Sequence, residues 1–196
     1  MLDPHFDSKN GILKNVPGII DQNMLEDFER IQATKAIVNL RANPVQGVFD
    51  SAHLKEIHRR IFQNIYPWAG EFRQVNIRRS ASFFFALVQF MEMNLKGTLT
   101  KLGTENHLKG LNAAAFASRA AYYLGELNAI HPFREGNGRT QREFIRELAA
   151  EAGHRLNWSR VSHEQMYVAS IESHNVGKND AFATLILSAV EPALRL

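Results

Sequence analysis

A short segment of the chain, residues 131–142, brings together side chains that can handle phosphate groups. Gly136 and Gly138 flank an asparagine at the point where a helical pattern begins. Glycine lets the backbone turn sharply and approach a ligand closely, and the free amides at a helix N-terminus bind anions. Arg139 and Arg142 lie three residues apart, on one side of that helix, and arginine forks pair well with phosphate oxygens. The segment therefore predicts a phosphate-binding loop.

The same segment holds a carboxylate and an imidazole beside the predicted phosphate site. Glu135 precedes the first glycine, and Mg²⁺ at phosphate sites takes one or two carboxylates together with phosphate oxygens. His131 heads the segment, and an ordinary histidine pKa of about 6.5 suits a general base that deprotonates an attacking hydroxyl. Each residue alone fits an ordinary loop or a solvated helix equally well. Their combination in this order favours phosphoryl or nucleotidyl transfer, although no Gly-Lys-Ser/Thr follows as in a Walker loop.

Helical periodicity and capping residues dominate the elements that must position this loop. Ser162 and Gln165 have the spacing of a capping box, and Gly153 closes the helix that follows the loop. Between residues 72 and 85 the pattern changes to two short strands joined by a turn. Strand–helix alternation of the Rossmann kind is missing from the sequence, so we expect a mainly α-helical domain with one β-hairpin. The predicted helices span 21–40, 86–102, 112–130, 137–152, 162–174 and 180–194. A further helix is predicted to begin at Asp50 or Ser51 and to end in the turn of Pro67 and Gly70.

Bulk composition fits one ordinary globular domain and excludes several kinds of site. The chain has 196 residues, of which 45% are hydrophobic, so a sizeable core can form. It contains no cysteine, which excludes disulfides, thiolate metal sites and cysteine nucleophiles and fits a reducing cytoplasm. The most apolar window, residues 81–88, is shorter than the roughly 20 residues of a spanning helix, and the N-terminus lacks a signal-peptide pattern.

The basic residues and the remaining histidines predict no further site. The net charge is only +3, and the densest basic cluster, Arg73, Arg78 and Arg79, fits a solvated surface, so we expect no direct nucleic-acid binding. None of the other histidines has a partner at metal-ligand spacing, so we expect structural or surface roles for them and no zinc. These histidines are His5, His53, His58, His107, His154, His163 and His174.

At every defined position, residues 131–142 resemble the signature of the Fic family, His-x-Phe-x-(Asp/Glu)-Gly-Asn-Gly-Arg-x-x-Arg. This motif is long and specific. Residues 66–73 resemble the family's Trp-Ala-Gly turn leading into its flap hairpin, residues 120–128 resemble the helix before the motif, and residues 3–18 are similar to family N-termini. Within the family, the chain is similar to the toxins of bacterial toxin–antitoxin pairs and to type IV secretion effectors.

The resemblance covers roughly the whole chain, and so implies one Fic domain over residues 1–196. Its core would span about 50–175 and its flap about 73–85, with helical additions at both ends. The implied activity is AMP transfer from ATP to a Ser, Thr or Tyr hydroxyl of a protein. By motif position, His131 would be the general base and Glu135 would bind Mg²⁺ between the α- and β-phosphates. Phe133 would pack inward and shape the loop.

The resemblance also implies how the phosphates are held. The amides from Gly136 to Gly138, with the Asn137 side chain, would bind them. Arg139 and Arg142 would neutralise their charge, with Arg142 reaching the γ-phosphate. The kinase-like Doc branch of the family has lysine in place of the second motif glycine, so Gly138 favours AMP transfer over phosphorylation.

The flap implied by the resemblance would dock the target protein. An exposed hairpin can pair with an extended segment through backbone hydrogen bonds, which would bring the target hydroxyl to the base. Val75, Ile77, Phe83 and Phe84 are the expected docking residues. The run of three phenylalanines at 83–85 is unusual for a flap, so one or two of its rings are expected in the core. The adenine would lie against the helix that ends near residues 173 and 174.

An inhibitory helix of the family is missing from this sequence. Its pattern is Ser/Thr-x-x-x-Glu-Gly/Asn, and its glutamate pairs with the second motif arginine. Only Glu105 and Glu135 precede Gly or Asn, and the residues four before them are Lys101 and His131. We therefore expect that Arg142 is not blocked by this chain, and that a small antitoxin would supply the glutamate.

Several alternatives stay open at this stage. A nucleotide-binding module without catalysis would not need the histidine base. A nucleic-acid-binding protein would show salt-dependent affinity that ignores this base. A Fic enzyme transferring UMP, GMP, phosphocholine or a phosphate would share the motif. The resemblance suggests ATPase subunits of type II DNA topoisomerases as targets inside a bacterial cytoplasm, with no membrane partner; secretion and a host target are the alternative.

Overall fold

The structure is a computed structural model that describes residues 3–79 and 84–192. The described residues form seven α-helices, two 3-10 turns (Asn106–Leu108 and Trp158–Arg160) and one two-stranded antiparallel sheet, and none of these helices is long and apolar enough to cross a membrane. The elements are β1 (Phe6–Asp7), β2 (Ile12–Leu13), α1 (Gln22–Ala42), α2 (Ser51–Phe62), α3 (Val88–Thr104), α4 (Ala113–Ile130), α5 (Asn137–Glu151), α6 (His163–Val176) and α7 (Asp180–Ala189).

The predicted mainly helical class is confirmed, and several of the helices begin at a capping side chain. Asp50 accepts a hydrogen bond from the His53 amide (2.9 Å), and Asn112 accepts one from the Ala115 amide (3.0 Å). Ser162 opens α6 with a complete capping box. Each side chain satisfies an amide that the first helical turn leaves without a partner.

Helix α4 lies at the centre of the bundle. It packs against α3, α5, α6 and α7, and most of its residues are buried. A Cβ atom at Gly125 would come within 2.2 Å of the Asn179 side chain, so glycine permits the close approach between α4 and the start of α7. The C-terminal end of α4, which leads into the motif loop, is thereby fixed against its neighbours.

The last helix ends earlier than the sequence predicts. The predicted helix ran to residue 194, whereas α7 ends at Ala189. The backbone then turns extended: Val190 forms an isolated bridge with Leu156, and the Glu191 amide donates to the Arg155 carbonyl (2.8 Å). This pairing with the segment after α5 competes with helical hydrogen bonds, and the periodicity of a single helix does not reveal it.

The two predicted strands between residues 72 and 85 are also less regular than expected. Among the described residues, this segment forms one antiparallel bridge, Arg78 with Phe84, and the Phe85 amide donates to the Ile77 carbonyl (3.3 Å). The regular hairpin, β1 with β2, lies instead near the N-terminus, where the sequence analysis did not predict strands. Each of its strands has only two residues, too few to show an alternating pattern.

Candidate active site

His131 lies at the C-cap of α4 in a left-handed conformation (φ 49°, ψ 64°). Its ring stacks on Phe85, with the ring centroids 3.7 Å apart. Its Nδ1 lies 3.2 Å from the Asn128 carbonyl oxygen, so Nδ1 carries the proton and donates. The lone pair of Nε2 is therefore the basic site of the ring.

The surroundings of His131 keep its ring neutral. Burial is the main cause, and Arg79 and Arg73 act in the same direction, while the bond to the Asn128 carbonyl opposes them. Together they lower the pKa of His131 to about 3. A neutral imidazole can accept a proton at physiological pH, which is the requirement for a general base.

Arg73 fixes the backbone around His131. It is 1% exposed, so its assignment to a solvated basic cluster was wrong. Its guanidinium donates to four backbone carbonyls: His131 (2.8 Å), Ile130 (3.2 Å), Val75 (2.8 Å) and Ala86. Two of these belong to the end of α4 and two to the two sides of the flap. Burial lowers the pKa of Arg73 to about 10, which still leaves it charged at neutral pH.

The glycine turn forms the predicted start of α5. Gly136 has a φ of +80°, and a Cβ atom there would lie 2.3 Å from the ring of Phe62, so only glycine fits. The Asn137 side chain is buried; its Oδ1 accepts from the Phe133 amide (2.9 Å) and its Nδ2 donates to the Phe133 carbonyl (2.8 Å). The expectation that this side chain holds phosphate is corrected: it closes the loop on itself. The backbone amides of the turn and of the exposed Gly138 remain the phosphate-binding candidates.

A buried histidine, His58, supports the motif loop from the core side. His58 is fully buried and stacks on Phe133, with centroids 3.9 Å apart. Its Nδ1 accepts from the Gly70 amide (2.8 Å), so its Nε2 carries the proton and donates to the Glu135 carbonyl (3.0 Å). Burial lowers the pKa of His58 to about 3. The expected structural role of His58 and the expected inward packing of Phe133 are both confirmed.

The two motif arginines have different surroundings. Arg139 pairs with Glu29 of α1 (2.5 Å), and Glu29 also accepts from the Tyr66 hydroxyl. Arg142 is half-buried, and burial, followed by the charge of Arg139, lowers its pKa. In residues 3–79 and 84–192 no carboxylate forms an ion pair with the Arg142 guanidinium.

Sequence reasoning missed Glu29, although a signal for it exists. Leu25 and Ala33, four residues before and after it, are both buried on the inner face of α1. A glutamate in such an apolar stripe needs a buried cation as partner. The sequence does not show that this cation lies 110 positions away.

A cavity lies between the motif loop, the flap and helices α4 to α7. Its lining includes His131, Gly138 and Arg142 of the motif, together with Arg79 of the flap. The remaining lining residues come from α4, α5, α6 and α7: Leu124, Asn128, Gln141, His163, Met166, Tyr167, Ser170 and Phe182. These α6 side chains lie about one to three turns before residues 173 and 174, where the adenine was expected to bind.

The flap residues fall into two groups. Phe84 is 54% exposed, as a docking residue would be, while Val75 and Ile77 are half-buried. Phe83 lies outside the described residues. Phe85 is buried against His131, so at least one ring of the phenylalanine run belongs to the core. These positions bring the flap beside the base but do not test target docking.

Comparison with known proteins gives a consistent result. The Fic/DOC family model matches residues 48–149. Protein adenylyltransferase VbhT of Bartonella schoenbuchensis is 45% identical over 94% of this chain and 38% of its own length. "Probable protein adenylyltransferase y4lH" of Sinorhizobium fredii is 35% identical over 83% of each chain. The crystal structure of the VirB-translocated effector BepC of Bartonella tribocorum, with bound AMPPNP, has a TM-score of 0.91 at 30% identity, covering 96% of this chain and 97% of that one.

The chain spans about a third of the length of two curated relatives. It covers 38% of VbhT and 32% of a protein adenylyltransferase of Bartonella henselae. The match to the Sinorhizobium protein, in contrast, covers most of both chains.

Proposed function

The chain belongs to the Fic/DOC family, and from this we propose that it is a protein adenylyltransferase that moves AMP from ATP to a Ser, Thr or Tyr hydroxyl of a target protein. One observation carries the proposal: the neutral His131 ring borders the same cavity as Gly138 and Arg142. A base, a glycine turn at a helix N-terminus and a cation without a carboxylate partner among the described residues thus face one space. Relatives named protein adenylyltransferase support this reading.

The proposed reaction begins at the Nε2 atom of His131. Nε2 accepts the proton of the target hydroxyl while the hydroxyl oxygen attacks the α-phosphorus of ATP. The bond between the α-phosphorus and the α,β-bridging oxygen breaks, and pyrophosphate leaves. The pKa of about 3 makes His131 a weak base in the free protein. The negative charge of bound ATP favours the protonated imidazolium, so nucleotide binding raises the basicity when it is needed.

The phosphates would be held by the start of α5 and by the motif arginines. The Gly138 backbone faces the cavity and leaves room for a close approach. Arg142 supplies a full positive charge there, and Arg139 lies at the edge of the loop, held by Glu29. Preorganised donors of this kind stabilise charge that builds up on the phosphates in the transition state.

Glu135 fits the role of a magnesium ligand. Its side chain is 45% exposed, and its Oε1 accepts from the Gly136 amide (2.7 Å), which orients the carboxylate beside the phosphate turn. In the described part of the chain no three His, Asp or Glu residues form a metal-binding group, so a cation would depend on phosphate oxygens for most of its ligands, as Mg²⁺ does. When bound, Mg²⁺ would neutralise phosphate charge and assist the departure of pyrophosphate.

We also propose a toxin role for the chain in the bacterial cytoplasm. The Arg142 guanidinium forms no ion pair with the described residues, so a small antitoxin could offer it a glutamate and compete with the nucleotide. The resemblance to the toxins of bacterial toxin–antitoxin pairs suggests ATPase subunits of type II DNA topoisomerases as targets. The similarity to VirB-translocated effectors favours a second candidate role, the modification of a host protein.

Label transfer from ATP tests the proposal directly. Purified protein is incubated with Mg²⁺, a bacterial or host-cell lysate and ATP labelled at the α- or the γ-phosphate. His131→Ala is the inactive variant, and His154→Ala, a histidine outside the cavity, is the matched control. We expect α-label on a discrete protein, lost only in His131→Ala. Label from the γ-phosphate alone would mean phosphorylation, and ATP binding without label in either lysate would favour the binding module.

A further inference from the structure

Arg79 is a cation of the cavity that the family motif does not contain. It lies on the flap, next to Arg78 in sequence, and the two side chains point to opposite faces. Arg78 is exposed and lies over the Phe84 ring, whereas Arg79 is half-buried and lines the cavity with His131 and Arg142. Alternation along an extended chain produces this difference.

The contacts of Arg79 leave much of its binding capacity unused. Its Nη1 donates to the Ser170 hydroxyl (3.1 Å) and its Nη2 to the Asn128 side-chain oxygen (3.3 Å). Both bonds end on neutral acceptors, and among the described residues the Nε atom has no hydrogen-bond partner. Within residues 3–79 and 84–192 no carboxylate pairs with this guanidinium. A half-buried arginine without a counter-charge can bind an incoming anion, because charge-assisted hydrogen bonds are stronger than neutral ones.

We propose that Arg79 is a third arginine of the nucleotide site, which exchanges Ser170 and Asn128 for phosphate oxygens when ATP binds. The inference rests on the proposed adenylyltransferase function. The free cavity measures about 150 Å³, below the roughly 300–1,000 Å³ of typical ligand pockets, and Arg79 forms its flap-side wall. A nucleotide that enters the cavity therefore meets the Arg79 guanidinium at this wall.

This exchange ties the flap to the nucleotide. Arg79 connects the flap to α4 through Asn128 and to α6 through Ser170. Once its guanidinium holds a phosphate, residues 73–79 of the flap would be tied to the substrate itself.

Equilibrium binding separates phosphate recognition from pocket shape. ATP and adenosine are titrated calorimetrically, with Mg²⁺, against the full chain carrying His131→Ala to prevent turnover. Arg79→Gln in that background is expected to weaken ATP binding by about tenfold or more, the usual effect of removing a hydrogen bond to a charged group, and to leave adenosine binding within about twofold. Arg78→Gln, the matched control on the other face, should leave both affinities unchanged.

A hydrogen-exchange measurement and a second variant complete the test. Hydrogen exchange of the amides of residues 73–79 should slow when ATP is added to the Arg79 protein and not to the Arg79→Gln protein. If Arg79→Gln does not fold, Arg79→Lys takes its place, with a several-fold loss for ATP and none for adenosine. Equal losses for ATP and adenosine, or no loss for either, would overturn the inference.

Failure of this inference is distinguishable from failure of the proposed function. AMP transfer by the parent protein, together with unchanged ATP affinity in Arg79→Gln, would refute the role of Arg79 alone. Selective loss of ATP affinity in a protein that transfers no label would refute the adenylyltransferase and leave Arg79 as a nucleotide ligand.

Discussion

Replacement of Arg73 by lysine should loosen the catalytic turn and the flap together. The arginine fork donates to four carbonyls that converge from the end of α4 and from both sides of the flap. Lysine offers donors from a single nitrogen, which can reach about two acceptors arranged around a planar fork. The same burial that lowers the pKa of Arg73 to about 10 also favours the neutral amine of a lysine, whose ordinary pKa is only about 10.4.

The size of the effect follows from the bonds that are lost. Two hydrogen bonds to a charged donor, at about 1.5–3 kcal/mol each, give roughly 3–6 kcal/mol. Water that enters the site recovers part of this, so we expect a loss of about 3 kcal/mol in the free energy of unfolding. For a chain of this length the melting temperature falls by roughly 2–4 °C per kcal/mol, so the expected decrease is about 6–12 °C.

The rate of AMP transfer should fall as well, because Arg73 holds the carbonyl of His131. A displacement of the base by about 1 Å is enough to slow the reaction on the order of a hundredfold. The assay compares melting curves and single-turnover rates, below the melting transition, for Arg73→Lys and for Arg78→Lys, the same change at an exposed position. A melting temperature within about 2 °C of the parent would refute the energetic argument. A lower melting temperature with an unchanged rate would show that Arg73 supports the fold without positioning the base.

Three further predictions concern the loop and its supports. The pKa of His58 is about 3 in the folded protein and about 6.5 in the unfolded chain, so its contribution to stability is complete above pH 6.5 and declines towards pH 3. Denaturant titrations should show that this residue contributes about 2 kcal/mol less to the free energy of unfolding at pH 5 than at pH 7. This contribution should be absent in His58→Gln. Gly136→Ala should lower the free energy of unfolding by about 2 kcal/mol or more, because of backbone strain and a clash with the Phe62 ring. At Gly138 an added Cβ atom would meet nothing closer than 3.5 Å. Gly138→Ala should therefore melt like the parent but bind ATP more weakly in calorimetry. Glu29→Gln removes the carboxylate paired with Arg139, so ATP should bind several-fold more tightly because a repelling charge is gone; weaker binding would contradict this.

The sequence predicts the parts of this site that depend on local geometry. Asp50, Asn112 and Ser162 cap the helices that the periodicity indicates, because capping joins residues two or three positions apart. Gly136 is required by a turn that its own backbone adopts. Local spacing therefore identified the loop, its helix and the elements on either side.

Most of the parts that the sequence did not reveal depend on contacts between distant segments. Arginine usually lies at the surface, and the burial of Arg73 is favourable only because carbonyl groups from α4 and from the flap converge on its guanidinium. Glu29 meets Arg139 across 110 positions. The Asn137 amide, expected on the ligand side, faces inward because Phe133 offers it both a donor and an acceptor. Hydrogen-bonding partners decide these orientations, and residue type alone leaves them open.

Burial and the charges around the cavity together explain why the His131 ring is neutral. Arg73 and Arg79 both oppose a positive charge on His131, and burial opposes it more strongly than either. Of the cavity's own arginines, Arg79 and Arg142, neither pairs with a carboxylate among the described residues, so the free site holds an excess of positive charge. A bound polyphosphate would supply negative charge and so oppose the effect of the two arginines on His131. In the proposed reaction, His131 would therefore gain affinity for a proton when the nucleotide binds.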